Sequence, residues 1–203
     1  MKSNYLLLLF GLMLLGACFV TAGEKKESWP VTGTSFDSLI KQAYDCHQQY
    51  LETEPPSGHG VNLLKGLYNT TLGKTEEEKT AVMAMTDSAF IGLISLEEVQ
   101  QELKGKLSDD GKTTLDTLNI EMNQSLEEYN GILASANELI KEIPEAIKNV
   151  PDELKGLNLL KIPKVQGALE TSKRWIEEVM DSAPIHIEQI NTVISIIEKL
   201  TGE

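Results

Sequence analysis

The chain has 203 residues, which allows one domain or a domain with appendages. Hydrophobic residues make up 41% and aromatics only 5%, so a core has to be built from Leu, Ile, Val, Met and Ala, a mix suited to helix-on-helix packing. The formal net charge of −13 leaves no basic face for phosphate, so nucleic acid is not an expected partner, and simple electrostatic attraction to anionic lipid is not expected either.

Residues 1–22 read as an export signal. Lys2 supplies a minimal positive start, and an apolar run follows from Tyr5 to Leu15. The run is shorter than the roughly 20 apolar residues that span a bilayer. Leu15-Gly16-Ala17-Cys18, at the end of the leucine run, resembles the lipobox of bacterial lipoproteins. The resemblance covers the signal only. It implies that Cys18 is acylated and becomes the new N-terminus, holding the chain to a membrane by a lipid anchor. Val20-Thr21-Ala22 offers the alternative: small residues that an ordinary signal peptidase reads, releasing a secreted chain that starts at Gly23. Residues 23–34 have no hydrophobic periodicity and read as a tether. Within them, Trp29 suits either an interfacial anchor or a ring lying on a folded surface, and the second reading is the simpler.

From residue 35 onward the pattern is helical. Phe36, Leu39, Ala43, Cys46 and Tyr50 fall on one stripe of a helix over residues 35–52, with Thr34 or Ser35 available as cap. Pro55 and Pro56 end it. A short helix with Leu63, Leu64 and Leu67 follows and closes at Gly73.

Residues 75–143 then read as the organising element, two long arms folded back on each other. The first arm carries Val82, Met85, Ala89, Gly92, Leu96, Val99 and Leu103 at steps of three and four. Thr75 and Glu78 have capping-box spacing at its start. A second start signal at Ser95-Leu96-Glu97-Glu98 marks a kink or split near residues 92–95. The turn is expected at residues 107–111, which are polar and end in Gly111. The second arm carries Leu115, Leu118, Met122, Ser125, Tyr129, Ile132, Ala136, Leu139 and Ile143, flanked by Leu126, Leu133 and Ile140. That wider face wants more than one neighbour.

Pro144 is expected to stop this arm, and residues 144–163 to form a crossover. Val165, Leu169, Ser172, Ile176, Val179 and Ala183 define another stripe. A restart is expected at Pro184, leading into a last helix with Ile187, Ile190, Ile194 and Ile197 on its face.

Candidates for chemistry are few. Cys18 and Cys46 are the only cysteines, and either cleavage removes or acylates the first, leaving Cys46 unpaired. Cys46 is in phase with the apolar stripe, so a buried thiol is expected rather than a redox group. Asp45, Cys46 and His47 are adjacent on a helix and do not face one another. A metal or nucleophilic site would need His59 and His186 to converge on them. The chain contains no HExxH, CxxC, GxSxG or phosphate loop. Asn69 and Asn123 head N-glycosylation tripeptides.

The expectation is therefore an all-α helical bundle over residues 35–203, built around a long antiparallel hairpin. No cofactor, metal or catalytic residue is expected, and Cys18 is the lipid-attachment residue. The function expected is that of a non-enzymatic, membrane-tethered protein of a bacterial cell envelope that binds another protein. The alternative is a secreted lipid-binding or surfactant-type helical protein.

Overall fold

The computed structural model describes residues 29–53, 56–155 and 160–202. The chain divides into the units Met1–Pro30 and Val31–Glu203, and the second holds all the helices described below. The described residues form seven helices and no strand: α1 (Asp37–Glu52), α2 (Pro56–Thr71), α3 (Glu76–Met83), α4 (Asp87–Ile94), α5 (Glu97–Lys106), α6 (Asp109–Glu153) and α7 (Lys161–Thr201). No helix among them is long and apolar enough to cross a membrane.

The fold is an all-α bundle built on a long antiparallel hairpin, but the hairpin is one element later than expected. α6 and α7 are its arms, and theirs is the largest interface in the molecule. They run for 45 and 41 residues, or roughly 65 and 60 Å at 1.5 Å per residue. Two unbroken series of three-four steps hold them together. On α6 the buried series runs Gly111, Leu115, Leu118, Met122, Tyr129, Ile132, Ala136, Leu139, Ile143 and Val150, with Ser125 and Ala146 in the two remaining slots. On α7 it runs Val165, Leu169, Ser172, Ile176, Val179, Ala183, Ile190, Val193, Ile197 and Leu200, with His186 in the one remaining slot. A repeat of seven maintained this long keeps one seam facing a partner along the whole helix.

That seam explains why Pro144 and Pro184 fail to act as breaks. Both lie inside helices, as does Pro151. An interior proline loses one hydrogen bond and crowds the carbonyl four residues back, at a cost of about 3 kcal/mol. Pro144 is half-buried and Pro151 and Pro184 are exposed, so all three stand off the core stripe, where water can reach a freed carbonyl. Ending α6 at Pro144 would leave Val150 and Leu154 uncovered, and both are almost fully buried. Burial of such side chains is worth about 1.5–3 kcal/mol each, which outweighs the lost bond.

The third strand of the bundle is composite. Ser35 donates to Glu153 across 2.8 Å, the Cys46 thiol donates to the Ile132 carbonyl across 3.7 Å, and His59 reaches Glu121 at 3.8 Å. Rising numbers on α1 and α2 thus meet falling numbers on α6. Along α7 both series rise together, from His47 beside Glu178 to Gly60 beside Val193. So α1 and α2 together make one antiparallel neighbour of α6, interrupted after Thr53. Where α2 crosses, Gly60 lets the helices come close: a Cβ there would lie 3.2 Å from the Met122 sulfur, which would have to shift slightly.

The expected first arm is three short helices. Thr75 and Glu78 form the capping box that starts α3, Thr86 accepts from the Ala89 N–H to start α4, and Ser108 accepts from the Gly111 N–H to start α6. The split near residue 95 is present, and a second break before Thr86 was not expected. Because each break rotates the next helix, the continuous stripe dissolves. Ala89, Gly92 and Leu96 are exposed, while Val82, Phe90, Ile94 and Leu103 form the buried set. Gly111 is not a turn residue but a buried position in the first turn of α6, packed against Leu107 and Leu67.

The compact unit takes in residues 31–34, which the pattern had assigned to the tether. Neither Thr34 nor Ser35 caps α1. The Asp37 carboxylate instead accepts from the Thr32 N–H at 2.8 Å, the Thr32 hydroxyl and the Gly33 N–H at 2.9 Å. Burial pushes the Asp37 carboxyl up, but these hydrogen bonds together bring it below its ordinary value.

Two outcomes follow from these contacts. Pro184→Ala restores an N–H on an exposed face of α7 and should raise stability in urea by about 1–3 kcal/mol. A loss would mean that a break at residue 184 is needed. A lowered Asp37 pKa contributes stability that is complete above the unfolded carboxyl value of about 4 and is lost as pH falls through the folded value. The stability advantage of the wild type over Asp37→Asn should therefore shrink on going from pH 6 to pH 2.5; parallel stability curves across that range would refute the turn.

Candidate functional site

Cys18, the lipid-attachment residue of the signal, lies outside the described residues. Of the other candidates, Cys46 is buried, with 6% of its surface exposed. Burial pushes its thiol up to about 11. It sits at the floor of a shallow groove between α1 and α6 whose rim carries Asp45, Glu138 and Glu142. Asp45 points to solvent and pairs with Lys41. His47 turns the other way, toward α7. Its Nε2–H donates to the Glu178 carboxylate at 3.2 Å, and its ring stacks on Trp175 with centroids 5.8 Å apart. The three neighbours thus face three directions, as their helical spacing requires.

The remaining histidines do not join them. His59 faces Glu121 from an exposed position on α2. His186 fills a slot in the α6–α7 seam, beside Tyr129 at 5.2 Å and Tyr50 at 6.2 Å. The Nδ1 atoms of His47 and His186 are buried without a partner. Among the described residues, no three acidic, histidine or cysteine side chains gather in a way that could hold a metal. The Tyr129 hydroxyl donates to the Thr53 carbonyl at 3.2 Å, satisfying the chain where α1 ends, and burial pushes its phenol up to about 12.

The two glycosylation tripeptides differ in access. Asn69 is 4% exposed and faces the interior of the bundle, whereas Asn123 is exposed on α6 and bonds back to Asn119. Only Asn123 presents its amide to an outside enzyme.

Two depressions along α7 involve residues that no motif marks. A cavity of about 250 Å³ lies between α2, α4 and α7, with Val61, Ile91 and Val193 among its apolar lining. A second, of about 500 Å³, runs on between the Ser95 turn and α7, past Pro184, Ile187 and Ile196. Glu188 and Thr192 line both, so the two adjoin along α7. At the α4 edge of the first stands Asp87, which is held by Lys65. The Lys65 ammonium is buried, donating to the Met85 carbonyl at 2.7 Å and to Asp87 at 3.1 Å, and lies 5.9 Å from the centre of the Phe90 ring. A buried lysine needs such partners to remain charged. It pins the start of α4 to α2 and so fixes one wall of that cavity. Lys65 lies within the apolar pattern of the Leu63–Leu67 helix, and only its breaking of that pattern could have drawn attention to it.

No family model, curated protein or solved structure matches this chain.

The Cys46 environment can be tested directly. With little thiolate and little exposure, Cys46 should react with a thiol reagent at pH 7.5 at least about a hundredfold more slowly in the native chain than in 6 M guanidinium. Fast stoichiometric labelling of a Cys18→Ala chain would place Cys46 on the surface.

Proposed function

We propose that the chain is an exported, non-enzymatic binding module, anchored through Cys18 to the membrane of a bacterial cell envelope and presenting its helical bundle to another protein. The observation that carries this reading is the leucine run ending in Leu15-Gly16-Ala17-Cys18. Its acyl chains would supply the membrane attachment, since two lipid signals anchor stably where one does not.

The bundle supports a binding role through its surface rather than its interior. The α6–α7 seam is filled by side chains that are at most 5% exposed at Leu115, Leu118, Met122, Ile132 and Leu139. A lipid held between those helices, as the secreted alternative would have it, must displace packing worth about 1.5–3 kcal/mol per side chain. Recognition on an outer groove carries no such cost.

The test is metabolic labelling with a fatty acid in a bacterial host, together with the mass of the mature N-terminus. Label should enter the wild-type chain and be lost in Cys18→Ala. A mature chain that starts at unmodified Gly23 would replace this proposal with the secreted reading.

A further inference from the structure

We propose that the end of the bundle where α6 finishes and α7 begins rests on the membrane surface, with Leu160 and Val31 entering the headgroup layer and Lys161 and Lys164 meeting lipid phosphates. The inference rests on the anchored reading above and assigns the posture of the bundle on its membrane.

The entry point of the chain selects this end. Residues 31–37 pack beside the close of α6 and the start of α7. Ser35 donates to Glu153 at 2.8 Å, and a Cβ at Gly33 would lie 3.7 Å from the Lys161 ammonium nitrogen. The 12 residues 19–30 join Cys18 to Val31 and reach at most about 40 Å when fully extended. A lipid on Cys18 therefore holds this end near the bilayer. The opposite end, at Ser108, is the 45 residues of α6 away, roughly 65 Å.

Side chains at this end suit a boundary between lipid and water. Leu160 is 83% exposed, the highest value among the exposed large hydrophobic side chains described, and Val31 is 56% exposed. Lys148 pairs with Glu145, and Lys155 with Asp152. Asp37 and Glu153 are taken up by Thr32 and Ser35. Lys161 and Lys164 have no ion pair among the described residues. Across residues 31–37 and 145–167 cations and acids are thus equal in number, and the whole formal charge of −13 is carried elsewhere in the chain. An anionic bilayer repels the rest of the bundle and leaves this end free to approach.

The two unpaired lysines do not serve the helix that holds them. They occupy the first turn of α7, where the positive end of the macrodipole disfavours cations. The first turns of α3 and α6 carry acids instead, Glu76 to Glu78 and Asp109 with Asp110. Beside a bilayer, lysines at the surface attract anionic headgroups, and an exposed leucine between them and the anchor adds apolar contact.

The test uses the acylated full chain in vesicles of phosphatidylethanolamine and phosphatidylglycerol, with a fluorophore on Leu160→Cys, on Val31→Cys or, at the far end, on Asp109→Cys. Cys46 is buried and stays unlabelled in the native chain. A lipid carrying a nitroxide on its headgroup should quench the labels at residues 160 and 31 and leave the label at residue 109 bright. Lys161→Glu together with Lys164→Glu should restore most of the fluorescence at residue 160 while the chain still floats with the vesicles. Lys106→Glu together with Lys112→Glu, the same change in net charge at the far end, should leave the quenching as it is. A floating chain with no quenching at residue 160 or residue 31, or with equal quenching at residue 109, overturns the posture while the anchor stands. So does undiminished quenching in the Lys161/Lys164 double variant, or equal recovery in both double variants. A chain that does not float overturns posture and anchor together, so the two failures are distinguishable.

Discussion

The seam between α6 and α7 is the constraint on which the rest of the structure depends. It carries ten buried positions on each of two helices, in a three-four series whose only other slots are the half-buried Ser125, Ala146 and His186. Isolated helices gain little from propensity, and their stability in proteins comes from burying one face. Here the face is long enough to override three interior prolines. It also sets the length against which everything else is fitted. Neither α1 nor α2 is long enough to cover the hairpin, and the two in series cover it together.

Where they meet, the bundle carries its polar and aromatic side chains. Thr53 ends α1, and Tyr129 reaches across from α6 to take up its carbonyl. His186 and Tyr50 fill the space beside it, 3.5 Å apart at their polar atoms. One turn back, His47 lies between Trp175 and Glu178. A break in one strand of a bundle exposes backbone groups that an aliphatic core cannot satisfy. The histidines and tyrosines read most simply as the response to that break.

The fold class was legible because it depends on periodicity, and periodicity survives in a single sequence. Every expected stripe position of the second arm is buried except Ser125, and all six from Val165 to Ala183 are buried. What misled was punctuation. Proline at residues 144 and 184 is a strong local stop, yet the three-four series continues through both, and continuity of the seam wins over local propensity. Conversely, a stripe could be drawn through residues 82–103 because small residues such as Ala89 and Gly92 fit either face. Thr86 followed by Asp87 was the cap that would have broken it. The buried thiol of Cys46 followed from its phase on α1. Lys65 and the depressions along α7 could not be reached in that way, since they arise from pairs of helices whose relative placement no local pattern encodes.

The depressions along α7 follow from the same mismatch of lengths. α4 has the sequence Asp-Ser-Ala-Phe-Ile-Gly-Leu-Ile, with a single charged residue among eight. A helix that apolar is usually enclosed on all sides. α2 covers Phe90 and Ile94, and the Lys65–Asp87 pair fixes α4 on that neighbour. A helix of eight residues is about 12 Å long and is followed at once by the Ser95 turn, so it cannot also lie along α7. Ile91 and Leu93 are left half-buried. On the opposite bank α7 presents Gln189, Asn191, Thr192 and Ser195, side chains that hydrogen-bond without demanding a counter-ion. In an acidic chain this neutral, partly apolar strip is left open because α4 is too short to cover α7 as well as α2.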